Sequence, residues 1–253
     1  MGSAAFDRPC SNRGPGKCSR TPILVCMGSM PSVVTSESTL RVEPSPKRVR
    51  VMLDGRYVAD SFSPLLVWEK PYYPTYFFPR SAVHDSIIDS THTYMRADGG
   101  LDDYVALRWH EFDHWFEEDQ EVFVHARDPY KRIDILPSSR HVVVSVDGVL
   151  VADTRRPTLL FETSLRRRIY MPLTDVRMDL LVASTTRSQC PYKGDATYWS
   201  VETGRSLHTD LVWTYRSPIW ESAPIAGLAC FYDERVDMTV DGVPQTRPVT
   251  PYT

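Results

Sequence analysis

The feature that most constrains this chain is an internal repeat. Residues 49–79 align without a gap on residues 142–172, at a constant offset of 93 positions. The alignment places Glu69 on Glu162, at the end of an apolar run in each copy. A repeat of this length predicts two similar modules, and the cleft between two packed modules is a common place for a binding site.

Composition narrows the classes of protein to which the chain can belong. Its 253 residues are 42% hydrophobic and 24% charged, which leaves room for two globular domains with separate cores. The net charge of -3 provides no attraction to nucleic acid or to an anionic membrane. No apolar run reaches the length of a membrane-spanning helix. We therefore expect neither nucleic acid nor a membrane as a partner.

Cysteine usage bears on metal binding and on the cellular compartment. The five cysteines are Cys10, Cys18, Cys26, Cys190 and Cys230, and no two of them form a C-x-x-C pair. Their spacing argues against a structural zinc site. An odd count without a secretion signal predicts a reducing, cytoplasmic compartment. We expect no metal and no cofactor.

The chain divides into five segments. Residues 1–40 are rich in Ser, Gly, Pro and Arg, which predicts a disordered tail, with a mitochondrial presequence as the alternative. Residues 41–120 form the first module and residues 141–246 the second. Residues 121–140 connect them as an ordered strap, because apolar residues nearly alternate there. Residues 247–253 are a second tail.

Both copies of the repeat open with the pattern of a β-hairpin. Apolar residues alternate over residues 49–53 and lead into Asp54-Gly55, a pair that suits the two positive-φ positions of a tight turn. The same pair recurs at Asp147-Gly148. Together with 20 prolines and 13 tyrosines, this pattern favours strands and turns over long helices.

The modules can also be compared near their ends. Residues 112–116 then occupy the position of residues 236–240 at an offset of 124, which leaves about 31 additional residues in the second module. This comparison predicts a strand at 112–116. His110 and His114 belong to a match to the zinc pattern H-E-x-x-H, but that pattern binds metal only on a helix. We therefore predict no metal site here.

The additional residues include the turn Cys190-Pro191-Tyr192-Lys193-Gly194. Cys190 is a candidate nucleophile, because a nearby ammonium lowers the pKa of a thiol. Its alternative role is that of a small hydrophobic residue at a turn. Lys193 is a candidate contact for an anionic group, with an exposed turn residue or an ion-pair partner as the alternative. Tyr192 would orient the ligand.

The strap contains a dense polar cluster that belongs to neither repeat. His125 can transfer protons near neutral pH. Arg127 and Arg132 can each hold a carboxylate or phosphate through two hydrogen bonds. The same cluster can equally be read as a salt-bridge network that fixes the modules to each other.

Glu162 and two aromatic residues complete the candidates. Burial would raise the pKa of Glu162 and suit it for proton transfer. Its occurrence in both copies, however, favours a structural carboxylate over a catalytic one. Tyr198 and Trp199 are candidates to line an apolar pocket around a ligand, although aromatic residues at alternating positions are more often core.

Several motifs together resemble the DUF427 family. They are V-x-V-x-x-D-G-x-x-V-A-D-S from residue 49, H-A-R-D-P-Y-K-R-I-D-I-L-P-S-S-R-H from residue 125, C-P-Y-K-G-x-A-x-Y-W-S from residue 190 and A-x-F-Y-x-E-R-V-D from residue 229. The resemblance is to tandem, two-module members and spans roughly residues 41–246. It implies small all-β modules of the β-tent type, a fold also found in Mss4-like proteins and methionine sulfoxide reductase B.

The chain also departs from the family pattern. Its first module lacks the Cys-Pro-Tyr-Lys-Gly segment, and Ala126 stands where the family commonly has Pro. The cysteine pairs that bind zinc in several β-tent proteins are missing, so zinc is not carried over. The family has also been classified under nucleotidyltransferases, but we do not expect that activity in this chain. That chemistry needs a Gly-Ser turn, and the Gly-Ser steps here, at Gly2 and Gly28, lie in the tail.

We therefore expect an all-β protein of two tandem β-tent (Mss4-like) modules with a polar cleft at their junction. The leading hypothesis is a cofactor-independent enzyme, of hydrolase, isomerase, cyclase or lyase type, acting on a small anionic organic molecule. His125 and Glu162 would transfer protons, and Arg127, Arg132 and Lys193 would hold charge. The alternatives are a non-catalytic module that binds a small molecule or peptide, and a scaffold without a pocket.

Overall fold

The computed structural model describes residues 40–250, and it is built mainly from antiparallel β-strands. The predicted disorder of the first tail, its mitochondrial alternative and its three cysteines fall on residues outside this range. None of the helices described between residues 40 and 250 has the length and apolar character that crossing a bilayer requires.

The first module consists of two antiparallel sheets. A five-stranded sheet has the order β1-β4-β5-β7-β6, and a four-stranded sheet has the order β3-β2-β8-β9. The strands are β1 (Arg41–Pro44), β2 (Val49–Leu53), β3 (Arg56–Ser61), β4 (Leu65–Lys70), β5 (Tyr73–Pro79), β6 (Thr93–Tyr94), β7 (Tyr104–Leu107), β8 (His114–Glu117) and β9 (Gln120–Val122).

The second module repeats this plan with a larger first sheet. Seven strands have the order β10-β13-β14-β18-β17-β16-β15, and four have the order β12-β11-β19-β20. The strands are β10 (Ile133–Pro137), β11 (Val142–Val146), β12 (Val149–Thr154), β13 (Thr158–Glu162), β14 (Arg168–Met171), β15 (Leu181–Cys190), β16 (Gly194–Glu202), β17 (Leu207–Tyr215), β18 (Ala229–Phe231), β19 (Asp237–Val240) and β20 (Val243–Gln245). Short 3-10 helices cover Arg80–Ala82, Trp109–Glu111, Leu173–Asp175, Met178–Leu180 and Trp220–Ile225.

The sequence repeat is a structural repeat. Arg41 pairs with Trp68 between β1 and β4, and Asp134 pairs with Phe161 between β10 and β13, which is the same register at an offset of 93. Both Asp-Gly turns have positive φ at both positions, for example 51° at Asp147 and 76° at Gly148. The prediction of two tandem all-β modules is confirmed; the β-tent assignment stays a prediction.

Near the module ends, an offset of 124 was predicted between equivalent residues of the two modules, and it is wrong by one residue for strands β8 and β19. It is 124 between β7 and β18, as expected, but Val49 pairs with Glu117 where Val142 pairs with Val240, which is an offset of 123. One residue is therefore gained between these strands in the first module. A slip of one position moves every side chain to the other face of a strand, so the register of β8 could not be read from the aromatic pattern alone.

The H-E-x-x-H match does not lie on one helix. His110 is in the short 3-10 helix that ends at Glu111, and His114 is the first residue of strand β8. The strand predicted for residues 112–116 is present but begins two residues later.

Each module buries a core between its two sheets and a second core on the outer face of its larger sheet, and in the second module this outer core is the more extensive. The outer core of the second module includes Leu160, Tyr170, Trp213 and Tyr215, and Ile225 covers it from the last 3-10 helix. Strands β15 and β16 form a hairpin that extends the large sheet beyond the repeat. The outer face bears on the candidate site, because most candidate residues of β13 and of this hairpin lie on it, with Trp199 as the exception.

Replacing Phe78 by Ala tests the core of the first module. Phe78 is fully buried between the sheets, so we expect the free energy of unfolding to fall by about 3–5 kcal/mol. Chemical denaturation measures the change. Phe62 is 71% exposed, and Phe62→Ala is the matched control, expected to cost under about 1 kcal/mol. Equal losses in the two variants would contradict this placement of the core.

Candidate functional site

The hairpin of β15 and β16 inserts its tip into the protein. Residues 190–194 are all buried, whereas hairpin tips normally face solvent. The backbone N–H of Ile219 donates to the carbonyl of Lys193 over 3.2 Å, and the Ser222 hydroxyl donates to the carbonyl of Tyr192 over 2.8 Å. Gly194 has a φ of +93°, which lets the chain turn at this point. The tip therefore holds Tyr192 and Lys193 in fixed positions.

The strap runs between the first module and this tip. The backbone N–H of Asp128 donates to the Tyr192 hydroxyl over 2.7 Å. The His125 ring stacks on Tyr73 of β5 with centroids 4.0 Å apart, and its other neighbour, Tyr192, meets it edge-on at 6.2 Å. Strap, first module and hairpin tip thus meet at one junction.

Glu162 is a buried carboxylate shared by two lysines. It is 7% exposed, and its Oε2 lies 2.5 Å from Nζ of Lys193, which is 6% exposed. Its Oε1 lies 3.7 Å from Nζ of Lys131, in the strap. A buried charge is tolerated only when it is paired, so these three groups depend on one another.

A second buried carboxylate holds the other end of the strap. The Glu117 side chain is 2% exposed, and its Oε2 lies 2.5 Å from Nζ of Lys47 and 3.1 Å from Nε of Arg127. Its Oε1 accepts the backbone N–H of Arg127 over 3.1 Å. Glu117 therefore joins strand β8 to the strap as Glu162 joins β13 to it.

A cavity of about 380 Å³ opens at this junction. Its size is within the range of small-molecule sites. The lining combines three cations, two carboxylates, a phenol and two aliphatic side chains: Lys47, Arg127, Lys131, Asp128, Glu221, Tyr192, Ile133 and Ile219. Both modules and the strap contribute, as the cleft hypothesis requires.

The tautomer of His125 follows from one contact. Its Nδ1 lies 2.7 Å from the carbonyl oxygen of Ala126, so Nδ1 carries the proton and Nε2 has the free electron pair. Burial lowers the pKa of His125, and the charge of Lys131 lowers it further, against the opposing effects of the Ala126 carbonyl, Glu162 and Asp128. At neutral pH the ring is therefore uncharged and can accept a proton.

The backbone before His125 is strained. Val124 has a φ of +73°, a conformation that a β-branched residue rarely adopts. The N–H of His125 donates to the carbonyl of Phe123 over 2.8 Å, which closes a three-residue γ-turn. Strain of this kind persists only where surrounding contacts impose it, and it concentrates at functional sites.

Tyr192 supplies an uncharged hydroxyl. Burial is the main reason that its pKa is raised, and the nearby charges of Asp128 and Glu162 act in the same direction. The phenol therefore keeps its proton at physiological pH. It can donate that proton to a bound molecule while its oxygen accepts the N–H of Asp128.

Among the predicted site residues, the structure brings His125, Arg127, Glu162, Tyr192 and Lys193 to the junction. Only Arg127 and Tyr192 of these line the cavity itself. Glu162 and Lys193 lie behind Lys131, which the sequence analysis did not select.

Four predicted site residues lie elsewhere. Cys190 is buried at the base of the tip, in the outer core. The Arg132 side chain is 79% exposed and pairs with Asp134. The Tyr198 hydroxyl lies 2.6 Å from the Ser188 hydroxyl inside the outer core, and Trp199 packs against the core between the sheets. The last two cannot share one pocket, because neighbouring residues of a strand face opposite sides.

The sequence gives only a weak signal for the junction residues that were not predicted. Lys131 stands beside Arg132 in the strap, and only the turn between Asp128 and β10 decides which of the two faces inward. Lys47 and Glu117 are 70 positions apart, so nothing in the local pattern connects them.

The profile of one protein family matches most of the described chain. The family is described as a domain of unknown function (DUF427), and the match covers residues 41–117 and 134–242. The two matched segments correspond to the two modules, and residues 118–133, which include most of the strap, lie between them. A search of curated proteins finds no match.

The pKa of His125 is directly measurable. We expect NMR titration to give a pKa below the ordinary 6.5, and the Lys131→Met variant to raise it, because the Lys131 charge is removed. Arg132→Met is the control and should leave the value unchanged. Between the folded and unfolded pKa values the unfolded chain binds more protons, so the free energy of unfolding should fall as the pH drops below 6.5. A His125 pKa above 6.5 would contradict this environment.

The shared carboxylate predicts coupled effects on stability. Lys193→Met leaves Glu162 buried with only the more distant Lys131, so we expect a loss of about 3 kcal/mol in chemical denaturation. The double variant with Glu162→Gln should recover part of that loss. Arg132→Met removes only an exposed pair and should cost under about 1 kcal/mol. Additive losses in the double variant would argue against the coupling.

Proposed function

The chain belongs to the DUF427 family, and we propose that it is a cofactor-independent enzyme that acts on a small anionic organic molecule at the junction cavity. The reaction is a proton-transfer reaction of hydrolase, isomerase, cyclase or lyase type. The observation that carries the proposal is the uncharged His125 ring, held by a strained turn beside a cavity that three cations line.

In this proposal the cations of the cavity bind the anionic group of the ligand. Lys47, Arg127 and Lys131 line the cavity, and each is tied to a buried carboxylate behind it. Charged donors that are already held in place lose little freedom when an anionic group binds. Arg127 keeps Nη2 for a carboxylate or phosphate, because its Nε is bonded to Glu117 and its Nη1 lies 3.5 Å from Glu221.

Two side chains supply proton transfer. His125 accepts a proton at Nε2, and Tyr192, which keeps its phenolic proton, acts as the acid. Glu162 has a different role from the one expected from the sequence. Its two oxygens are engaged by Lys131 and Lys193, so in this proposal it holds the lysines and does not exchange protons with the ligand.

Two further expectations belong to the same proposal. Each module is of the β-tent type, which is supported by its combination of a four-stranded and a larger antiparallel sheet. The protein works in the cytoplasm, which is supported by its odd number of cysteines.

A turnover screen tests the proposal. The protein is incubated with a pool of small carboxylates and phosphate esters, and mass spectrometry identifies the compounds that it consumes. We expect His125→Gln to reduce the rate for such a compound by at least about 100-fold, because proton transfer contributes that much. Lys131→Met should mainly raise KM. His84→Gln, at an exposed histidine bonded to Ser86, is the matched control.

Two outcomes would contradict the proposal. One is the absence of any consumed compound in a pool that does contain a tight binder, which would indicate a binding module. The other is turnover by His125→Gln at the rate of the unaltered protein, which would place the chemistry away from the junction.

A further inference from the structure

The charges around the cavity identify the class of ligand more closely. We infer that the junction binds a zwitterion, specifically an α-amino acid with an apolar or aromatic side chain. This inference rests on the proposed function and narrows its ligand from an anion to a molecule with one anionic and one cationic group.

The charge balance of the junction is the first argument. Glu117 is shared by two cations, and Glu162 is shared by two others. Arg127 also pairs with Glu221, because its Nη1 lies 3.5 Å from Oε1 of that residue. These four cations and three carboxylates therefore leave one positive charge in excess, and it lies in the same cavity as the negative charge of Asp128. A ligand with only anionic groups would meet both attraction and repulsion, whereas a zwitterion can satisfy both signs.

The position of Asp128 is the second argument. The N–H of Lys131 donates to the carbonyl of Asp128 over 3.2 Å, so one turn of the strap presents an acid and a base side by side. An α-amino acid carries its two charges on neighbouring groups of one carbon, which suits such a pair. Asp128 accepts one hydrogen bond from the Tyr130 N–H over 2.9 Å and one from the Trp68 Nε1–H over 3.4 Å. A carboxylate has about four acceptor sites, so it can still receive an ammonium.

The apolar lining is the third argument. Ile133, Ile219 and the ring of Tyr192 provide aliphatic and aromatic surface in the same cavity. Trp220 is 88% exposed and stands in the chain between Ile219 and Glu221, which both line the cavity. Trp220 itself does not line the cavity, but its backbone lies between two residues that do, so its ring is a candidate to cover the apolar part of a ligand.

Three probes with one skeleton test the inference. They are phenylalanine, 3-phenylpropionate and 2-phenylethylamine, which differ only in the ammonium or carboxylate that each carries. Titration calorimetry on the full chain should show phenylalanine binding at least about tenfold more tightly than either of the others, since one well-placed charge contributes a factor of this size.

Matched variants assign the charges. Asp128→Asn should abolish the advantage of phenylalanine over 3-phenylpropionate without weakening the binding of 3-phenylpropionate, because the variant removes a charge that repels its carboxylate. Lys131→Met should abolish its advantage over 2-phenylethylamine. Asp134→Asn and Arg132→Met change exposed charges of the same region and should alter neither ratio. Unchanged circular dichroism would show that the variants fold.

The outcomes separate this inference from the proposed function. If 3-phenylpropionate binds as tightly as phenylalanine, the inference of a zwitterionic ligand is wrong, and an anionic ligand remains the proposal. If none of the three probes binds with a dissociation constant below about 10 mM, the inference of an amino-acid ligand is also wrong. The turnover screen alone then decides the enzymatic proposal. A preference for phenylalanine that survives in Asp128→Asn would likewise overturn the assignment.

Discussion

Two buried carboxylates determine how this protein is assembled. Glu162 binds Lys131 and Lys193, and Glu117 binds Lys47 and Arg127. Removing either carboxylate from water is costly, and the cost is offset only when the strap, the hairpin tip and both modules are in their places. The interactions are therefore specific as well as stabilising, because any other arrangement of these segments leaves a buried charge without its partners.

The duplicated glutamates show how one copy has been specialised. Glu69 accepts the Tyr94 hydroxyl over 2.5 Å and lies 3.0 Å from Arg96, so its partners come from the first module itself. Glu162 occupies the same register position but binds lysines from the strap and from the additional hairpin. The repeat thus supplies the carboxylate, and the segments that the repeat does not contain supply the cations.

The local sequence pattern was sufficient to predict the fold, but it was insufficient to predict the residues of the candidate site. The Asp-Gly turns and the 93-residue offset predicted strands, hairpins and two all-β modules, because these depend on neighbouring residues. The register of β8 was missed, since one added residue between strands leaves no local trace. Lys131, Lys47 and Glu117 were missed for a similar reason: their contacts join positions far apart in the chain.

The cavity takes its lining from positions as far apart as Lys47 and Glu221. Neither half of the molecule, separated from the other, would retain a complete set of walls. The two halves are alike in architecture but contribute different residues to the cavity, so the cavity requires both of them. Exchanging one module for an unrelated domain would therefore remove part of the lining, whatever the stability of the hybrid chain.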